Sequence, residues 1–133
     1  MNRELQQQLY DKYPSIFIFI NEDMRKTAMC WGIECDDGWY DILDKLCENI
    51  VKSGFHIKAT QVKEKFGTLR FYTNYSSDTI DNLIENAEKL SEQICEVTGK
   101  PGELMSTSGN WHGWLKTLSP EAALELGYKK IEN

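Results

Sequence analysis

The sequence has few histidines, few prolines and no long apolar run, and each scarcity removes a class of protein. No hydrophobic stretch approaches the roughly 20 residues that a membrane-spanning helix needs. The segment Asn2 to Gln8 lacks the apolar centre of a signal peptide, so a cytoplasmic protein, off the membrane, is expected. The two histidines, His56 and His112, have no neighbours that would make a recognisable nucleophile pair, which leaves hydrolytic catalysis without support. Four cysteines, Cys30, Cys35, Cys47 and Cys95, are scattered along a chain too long to need disulfide staples, and they read as free thiols. Basic residues are in deficit as well. Fifteen Lys and Arg against 21 Asp and Glu give a net charge of −6, which argues against binding extended nucleic acid, a task that depends on a broad basic face.

Metal-ligand spacing is missing too. Cys95 followed by Gly99-Lys100-Pro101-Gly102 looks like half of a zinc knuckle, but Thr98 stands where a Cys-x-x-Cys motif would put its second sulfur. The acid-rich Glu34-Cys35-Asp36-Asp37 does not have the spacing of an EF-hand loop, and helix capping accounts for at least one of its aspartates. No metal and no cofactor are expected.

What remains is a chain that folds on its own. Of its 133 residues, 41% are hydrophobic and 11% aromatic, enough for one domain spanning 1–133 with one core. Glu4 to Tyr13 carries Leu5, Leu9 and Tyr10 at helical spacing, and Pro14 ends the pattern. Ser15 to Ile20 is an apolar run of strand length, expected as a buried strand or an extended segment over the core, with a partner-binding patch as the other reading. Residues 1–29 thus form a helix and an apolar extended segment. Cys30 to Gly38 reads as a loop.

From Trp39 to Ser53, Trp39, Ile42, Leu43, Leu46 and Ile50 share one helical face, with Asp36 or Asp37 as cap and Gly54 as stop. Phe55 to Glu64 and Thr68 to Tyr75 predict two strands joined at Lys65-Phe66-Gly67, and Val62, out of step with Phe55, Ile57 and Ala59, hints at a bulge. Ser77 and Asp78 open a helix expected to run to about Glu96. A second hairpin, Glu103 to Ser106 with Gly113 to Leu118, follows, and Ser119-Pro120-Glu121 opens a two-turn helix closed by Gly127. Helices interleave with hairpins, so the expected class is α+β: an antiparallel sheet built from the two hairpins, with helices packed mainly on one face.

The chemistry concentrates in Gln61 to Tyr72, where Lys63, Lys65 and Arg70 meet only one acid, Glu64. In an acidic chain such a knot either neutralises folded acids or serves an anionic ligand. The candidate binding set is Trp39, Tyr40, Phe66, Tyr72, Trp111 and Trp114 with Lys63, Lys65, Arg70 and Lys116. Aromatic faces stack nucleobases, and Arg or Lys gives charge-assisted hydrogen bonds to phosphate. Core packing is the competing explanation for the aromatics, and edge-strand protection for the lysines.

The stretches Glu34 to Tyr40, Gln61 to Tyr72, Cys95 to Gly102 and Gly113 to Leu118 together resemble a family of small phage and prophage proteins. The resemblance covers residues 30 to 128 and rests on a Lys-Glu-Lys-Phe-Gly-x-Leu-Arg-Phe-Tyr core and a Gly-Trp-x-x-Thr-Leu motif. Many relatives carry a Cys-x-x-Cys at the positions of Cys95 and Thr98 and a second cysteine pair beginning near Ser119, and this chain departs from both. The resemblance implies an accessory protein acting in the cytoplasm of an infected bacterium. Its expected task is to bind and sequester a small nucleotide-type ligand, such as a bacterial immune signal, without catalysis. The alternative is an inhibitor of a host protein acting by surface contact, and a nucleotide-processing enzyme ranks third. A homo-oligomer stays open.

Overall fold

The computed structural model describes residues 1–25 and 27–132, and among them it shows an α+β fold. Four α-helices, α1 (Arg3–Lys12), α2 (Tyr40–Ser53), α3 (Asp78–Ser91) and α4 (Pro120–Leu126), accompany six strands. The strands are β1 (Ile33–Glu34), β2 (Ala59–Lys65), β3 (Thr68–Thr73), β4 (Glu103–Ser106), β5 (Leu115–Leu118) and β6 (Lys129–Lys130). Both expected hairpins form, and each becomes part of its own three-stranded sheet, ordered β1-β2-β3 and β5-β4-β6. Among the described residues no helix is long and apolar enough to cross a membrane.

Alternation along the first hairpin decides what faces inward. Val62, Leu69 and Phe71 are buried and join the apolar stripes of α2 (Leu43, Leu46, Ile50) and α3 (Ile80, Ile84, Ala87) in the larger core. Lys63, Lys65, Arg70 and Tyr72 occupy the other parity and face outward, and the expected bulge falls between Ala59 and Gln61. The smaller core lies under the second sheet, where Met105 and Leu118 pack with Cys95, Ala122 and Ala123.

β3 is an edge strand, and α3 covers it. The Leu69 N–H donates to Ser91 Oγ at 2.9 Å and the Phe71 N–H to a Glu88 carboxylate oxygen at 3.3 Å, so groups that would recruit a foreign strand are occupied. α3 ends at Ser91, short of the expected Glu96, as the Glu92 and Gln93 N–H groups turn to the Lys89 and Leu90 carbonyls three residues back. The next residues leave the helix, and Ile94 bridges Pro101.

Several sequence expectations are corrected. Ser15 to Ile20 is neither a strand nor extended. The Tyr13 carbonyl accepts from the N–H groups of Ile16 and Phe17, and a single 3-10 turn covers Ile18–Asn21. Consecutive Ile16 and Phe17 are both buried while Ile18 is exposed, an arrangement a turn permits and an alternating strand does not. Ile16 and Phe17 join the core, while Ile18 is exposed and Phe19 and Ile20 are half-buried. The capping expectation also fails: Asp37 accepts from the backbone and side-chain nitrogens of Asn2, and a 3-10 turn, Asp37–Trp39, leads into α2 without a side-chain cap. β2 starts at Ala59, not Phe55, so His56 sits in an exposed lead-in rather than in a strand. Ser77 and Ser119 cap α3 and α4 as expected, and Gly54 and Gly127 close α2 and α4 at positive φ.

The turn of the first hairpin docks on the second sheet. Phe66 and Gly67 have φ of 54° and 85°, the positive pair that two-residue hairpin loops favour. The Gly67 carbonyl accepts from Thr117 Oγ1 at 2.8 Å. A Cβ on Gly67 would lie 2.4 Å from Leu104 Cδ1 and 3.3 Å from the Lys116 nitrogen. Gly54, at φ 83°, has nothing within 4 Å of that position. Gly54→Ala should therefore lose about 1–2 kcal/mol for the left-handed backbone alone, and Gly67→Ala should lose more, because the Leu104 side chain must turn away and the backbone of β5 must give by a few tenths of an ångström. Urea titration of the two variants checks this, and equal losses would contradict a tight dock.

Candidate functional site

At the docked turn, the hairpin and the β4–β5 connection enclose a groove of about 630 Å³ lined by Glu64, Lys65, Phe66 and residues 111–115. That size lies within the roughly 300–1,000 Å³ of small-molecule sites. Its walls are aromatic: Phe66 is 68%, Trp111 58% and Trp114 80% exposed. A phenylalanine at positive φ is a conformational outlier, since a bulky side chain there is strained. The turn places Phe66 at the groove, with Lys65 Nζ 5.5 Å from its ring centroid.

The opposite wall is braced by its own hydrogen bonds. Trp114 donates its N–H to Thr107 Oγ1 at 3.1 Å and accepts the Thr107 N–H at its carbonyl, also at 3.1 Å. Asn110 Oδ1 accepts the His112 N–H at 2.9 Å, and the Glu132 N–H donates to the Gly109 carbonyl. Gly113 has no room for a side chain, because a Cβ would sit 2.6 Å from Thr107 Oγ1. Ser106 stands in register with the groove-lining Leu115, and its hydroxyl is buried without a partner among the described residues.

Of the residues singled out in the sequence, Lys65, Phe66, Trp111 and Trp114 come together here. The others divide. Lys63 and Arg70 stand directly opposite each other on the outer face of the first sheet. Neither they nor Lys65 makes an ion pair among the described residues. Tyr72, 41% exposed, lines a separate depression with Thr27, Thr60 and Gln61. Trp39 is withdrawn from any ligand: it is fully buried, and its indole N–H donates to the Ile94 carbonyl at 2.9 Å. Tyr40 is half-buried and bonded to Gln8 on α1, outside the groove.

Lys116 is engaged by acids. Its Nζ lies 3.2 Å from Glu96 Oε1 and 3.6 Å from Asp36 Oδ2. Glu96 is only 2% exposed, and its other oxygen accepts the Asp36 N–H at 3.0 Å. Its backbone is committed as well, accepting the Gly38 N–H at 2.7 Å and donating to the Thr117 carbonyl at 2.9 Å. Burial pushes the Glu96 carboxyl above its ordinary value, against the pull of Lys116 and the Asp36 N–H. Burial lowers the Lys116 ammonium, but attraction to Glu96 and Asp36 outweighs it and holds the ammonium above its usual value. Glu96 escaped the sequence reading because it falls at the end of what looked like a continuing α3. Glu64 and His112, both lining the groove, carried no motif that would mark them.

The cysteines are unpaired thiols. Cys95 is buried, its sulfur accepts the Thr98 N–H at 3.4 Å, and Thr98 and Ser119 supply further hydrogen bonds to it. Burial raises this thiol, yet those bonds bring it below its ordinary value. Cys35 is pushed up to about 12, chiefly by burial.

Comparison with protein-family models, with curated proteins and with solved structures finds no match, so no relative assigns a role to these residues.

Two outcomes follow from the electrostatics. The Glu96 carboxyl titrates in the folded chain above its ordinary value of 4.5, so its stabilising contribution is fully present below that pH and is lost as pH rises through the raised folded value. The stability of the wild type minus that of Glu96→Gln should accordingly fall as pH rises across that window, measured by urea titration from about pH 4 to about pH 7. A difference that grows with pH would mean that Lys116 overcompensates burial. Separately, like charges directly across a strand pair are destabilising, so Lys63→Gln, which removes the repulsion from Arg70 without setting a second carboxylate beside Glu34, should raise stability by about 0.2–1 kcal/mol, read as a higher Tm. A lower Tm would show that Lys63 is already compensated.

Proposed function

We propose that this protein is a non-catalytic binding module that takes the base of a small nucleotide-type ligand into the groove between the hairpin turn and the β4–β5 connection. The observation that carries this reading is Phe66, an exposed aromatic held at φ 54° that lines one groove with Trp111 and Trp114. A turn selected only for stability would place Asn, Asp or Gly there, so the strained ring has a use that stability does not explain. Two aromatic walls suit a flat ring, and Lys65 at the rim supplies a cation for an attached phosphate. The resemblance to phage and prophage proteins supports a bacterial immune signal as the ligand and sequestration in the host cytoplasm as the outcome. Sequestration asks only for affinity, on the order of −8 kcal/mol or better, and for no reacting group.

A second reading is supported by one specific observation. Trp114 is 80% exposed, far enough from the surface to insert into a pocket on a host protein, as anchor residues at interfaces do.

Thermal-shift and calorimetric titration against mono-, di- and cyclic nucleotides tests the first reading. A ligand at a hundred times its Kd adds about 2.7 kcal/mol and several degrees of Tm, and the compound should be recovered unchanged. Trp114→Ala should then weaken binding by about 5- to 150-fold, the equivalent of one base stack at about 1–3 kcal/mol. No shift with any nucleotide would turn the groove into a protein-binding surface, and consumption of the compound would make the protein an enzyme.

A further inference from the structure

The groove is one end of a longer strip. Along the outer face of the first sheet, Tyr72 pairs with Gln61, Arg70 with Lys63 and Thr68 with Lys65, and the turn at Phe66 follows. Tyr72 lines a depression of about 460 Å³ at the far end, and the aromatic groove lies at the near end. Five residues separate Gln61 from Phe66, which at a strand rise of about 3.3 Å per residue is roughly 17 Å. Between the two ends lie the three cations that make no ion pair among the described residues. Glu34 stands beside Lys63 in the parallel register of β1 and β2 without pairing with it. Glu88, bonded to the Phe71 N–H, is near enough for Arg70 to pull its carboxyl downward, although burial raises it more.

The order of chemistry along this strip is ring site, cations, ring site. Lys63 and Arg70 are a like-charge pair in direct register, which a sheet face selected for stability alone would not carry. An anion lying over the pair would turn the repulsion into shared binding. Resting on the nucleotide-binding reading above, we infer that the natural ligand is a linear molecule with two flat rings joined through phosphate. One ring stacks among Phe66, Trp111 and Trp114, the phosphate lies over Lys63, Arg70 and Lys65, and the second ring rests against Tyr72. A mononucleotide fills only the near end. Charge complementarity selects this occupant over an apolar peptide, which would leave the cations buried and unpaired.

The test is calorimetric titration of the full chain with the four nucleoside monophosphates and with the corresponding linear 3′-5′ dinucleotides. The expected result is a dinucleotide that binds at least tenfold more tightly than its own mononucleotide. Tyr72→Ala and Arg70→Gln should each remove most of that advantage, whereas Trp114→Ala should weaken both ligands. Lys63→Gln, which relieves the cross-strand repulsion without adding a carboxylate beside Glu34, should lose much of the dinucleotide advantage while its Tm does not fall. Equal affinity for mono- and dinucleotides, unaltered by Tyr72→Ala, Arg70→Gln and Lys63→Gln, would overturn the two-ring strip and leave the groove as a single-ring site. Absence of binding by every compound would overturn the groove reading together with the strip.

Discussion

One buried residue, Glu96, ties the approach to α2 to the second sheet, through its backbone as well as its carboxyl group. Glu96 joins the approach to α2 through Asp36 and Gly38, joins β5 through Thr117, and draws Lys116 into the junction. Burying a charge is unfavourable unless it is paired and hydrogen-bonded; each oxygen has a donor here, yet burial outweighs them and holds the carboxyl above its ordinary value. The close approach also depends on Gly38, where a Cβ would lie 2.2 Å from the Cys95 carbonyl oxygen. With that junction fixed, the hairpin turn can rest on Leu104 and Thr117, and the groove acquires its second wall.

The first sheet shows a division of labour by parity. Its inner face carries Val62, Leu69 and Phe71 into the core, while its outer face carries cations that make no ion pair among the described residues. Lys116, from the same basic population in the sequence, went the other way and became structural. The contrast is physical: Lys116 has two carboxylates within reach, whereas Lys63, Lys65 and Arg70 have no ion-pair partner among the described residues.

The helices, caps and hairpins were legible because they depend on local chemistry. Ser77, Ser119, Gly54 and Gly127 do at the ends of helices what their side chains or lack of one allow, and period-2 patterning marked β2 and β3. The two-residue strands β1 and β6 were not legible, since so short a segment has no period. Ser15 to Ile20 misled because an apolar run specifies burial but not the backbone path that achieves it. At the site, Phe66, Trp114 and Lys65 could be named from residue type, but Trp39 could not be separated from them without knowing which helical face is closed over. Glu96 was hidden for a related reason: its role lies in long-range pairing with residues about 20 and 60 positions away in the chain, and no local pattern encodes that.

The groove has one wall from each sheet, and this affects how the molecule opens. The second sheet rests on a small apolar cluster and the first on a much larger one. Local opening tracks buried apolar contact, so the β4–β5 region is the unit that detaches at lower free energy, carrying Trp111 and Trp114 away from Phe66. Anything bound between the walls is lost when that unit departs and suppresses its departure while present. Occupancy would thus appear as slower amide exchange in β4 and β5, including at amides remote from the bound molecule.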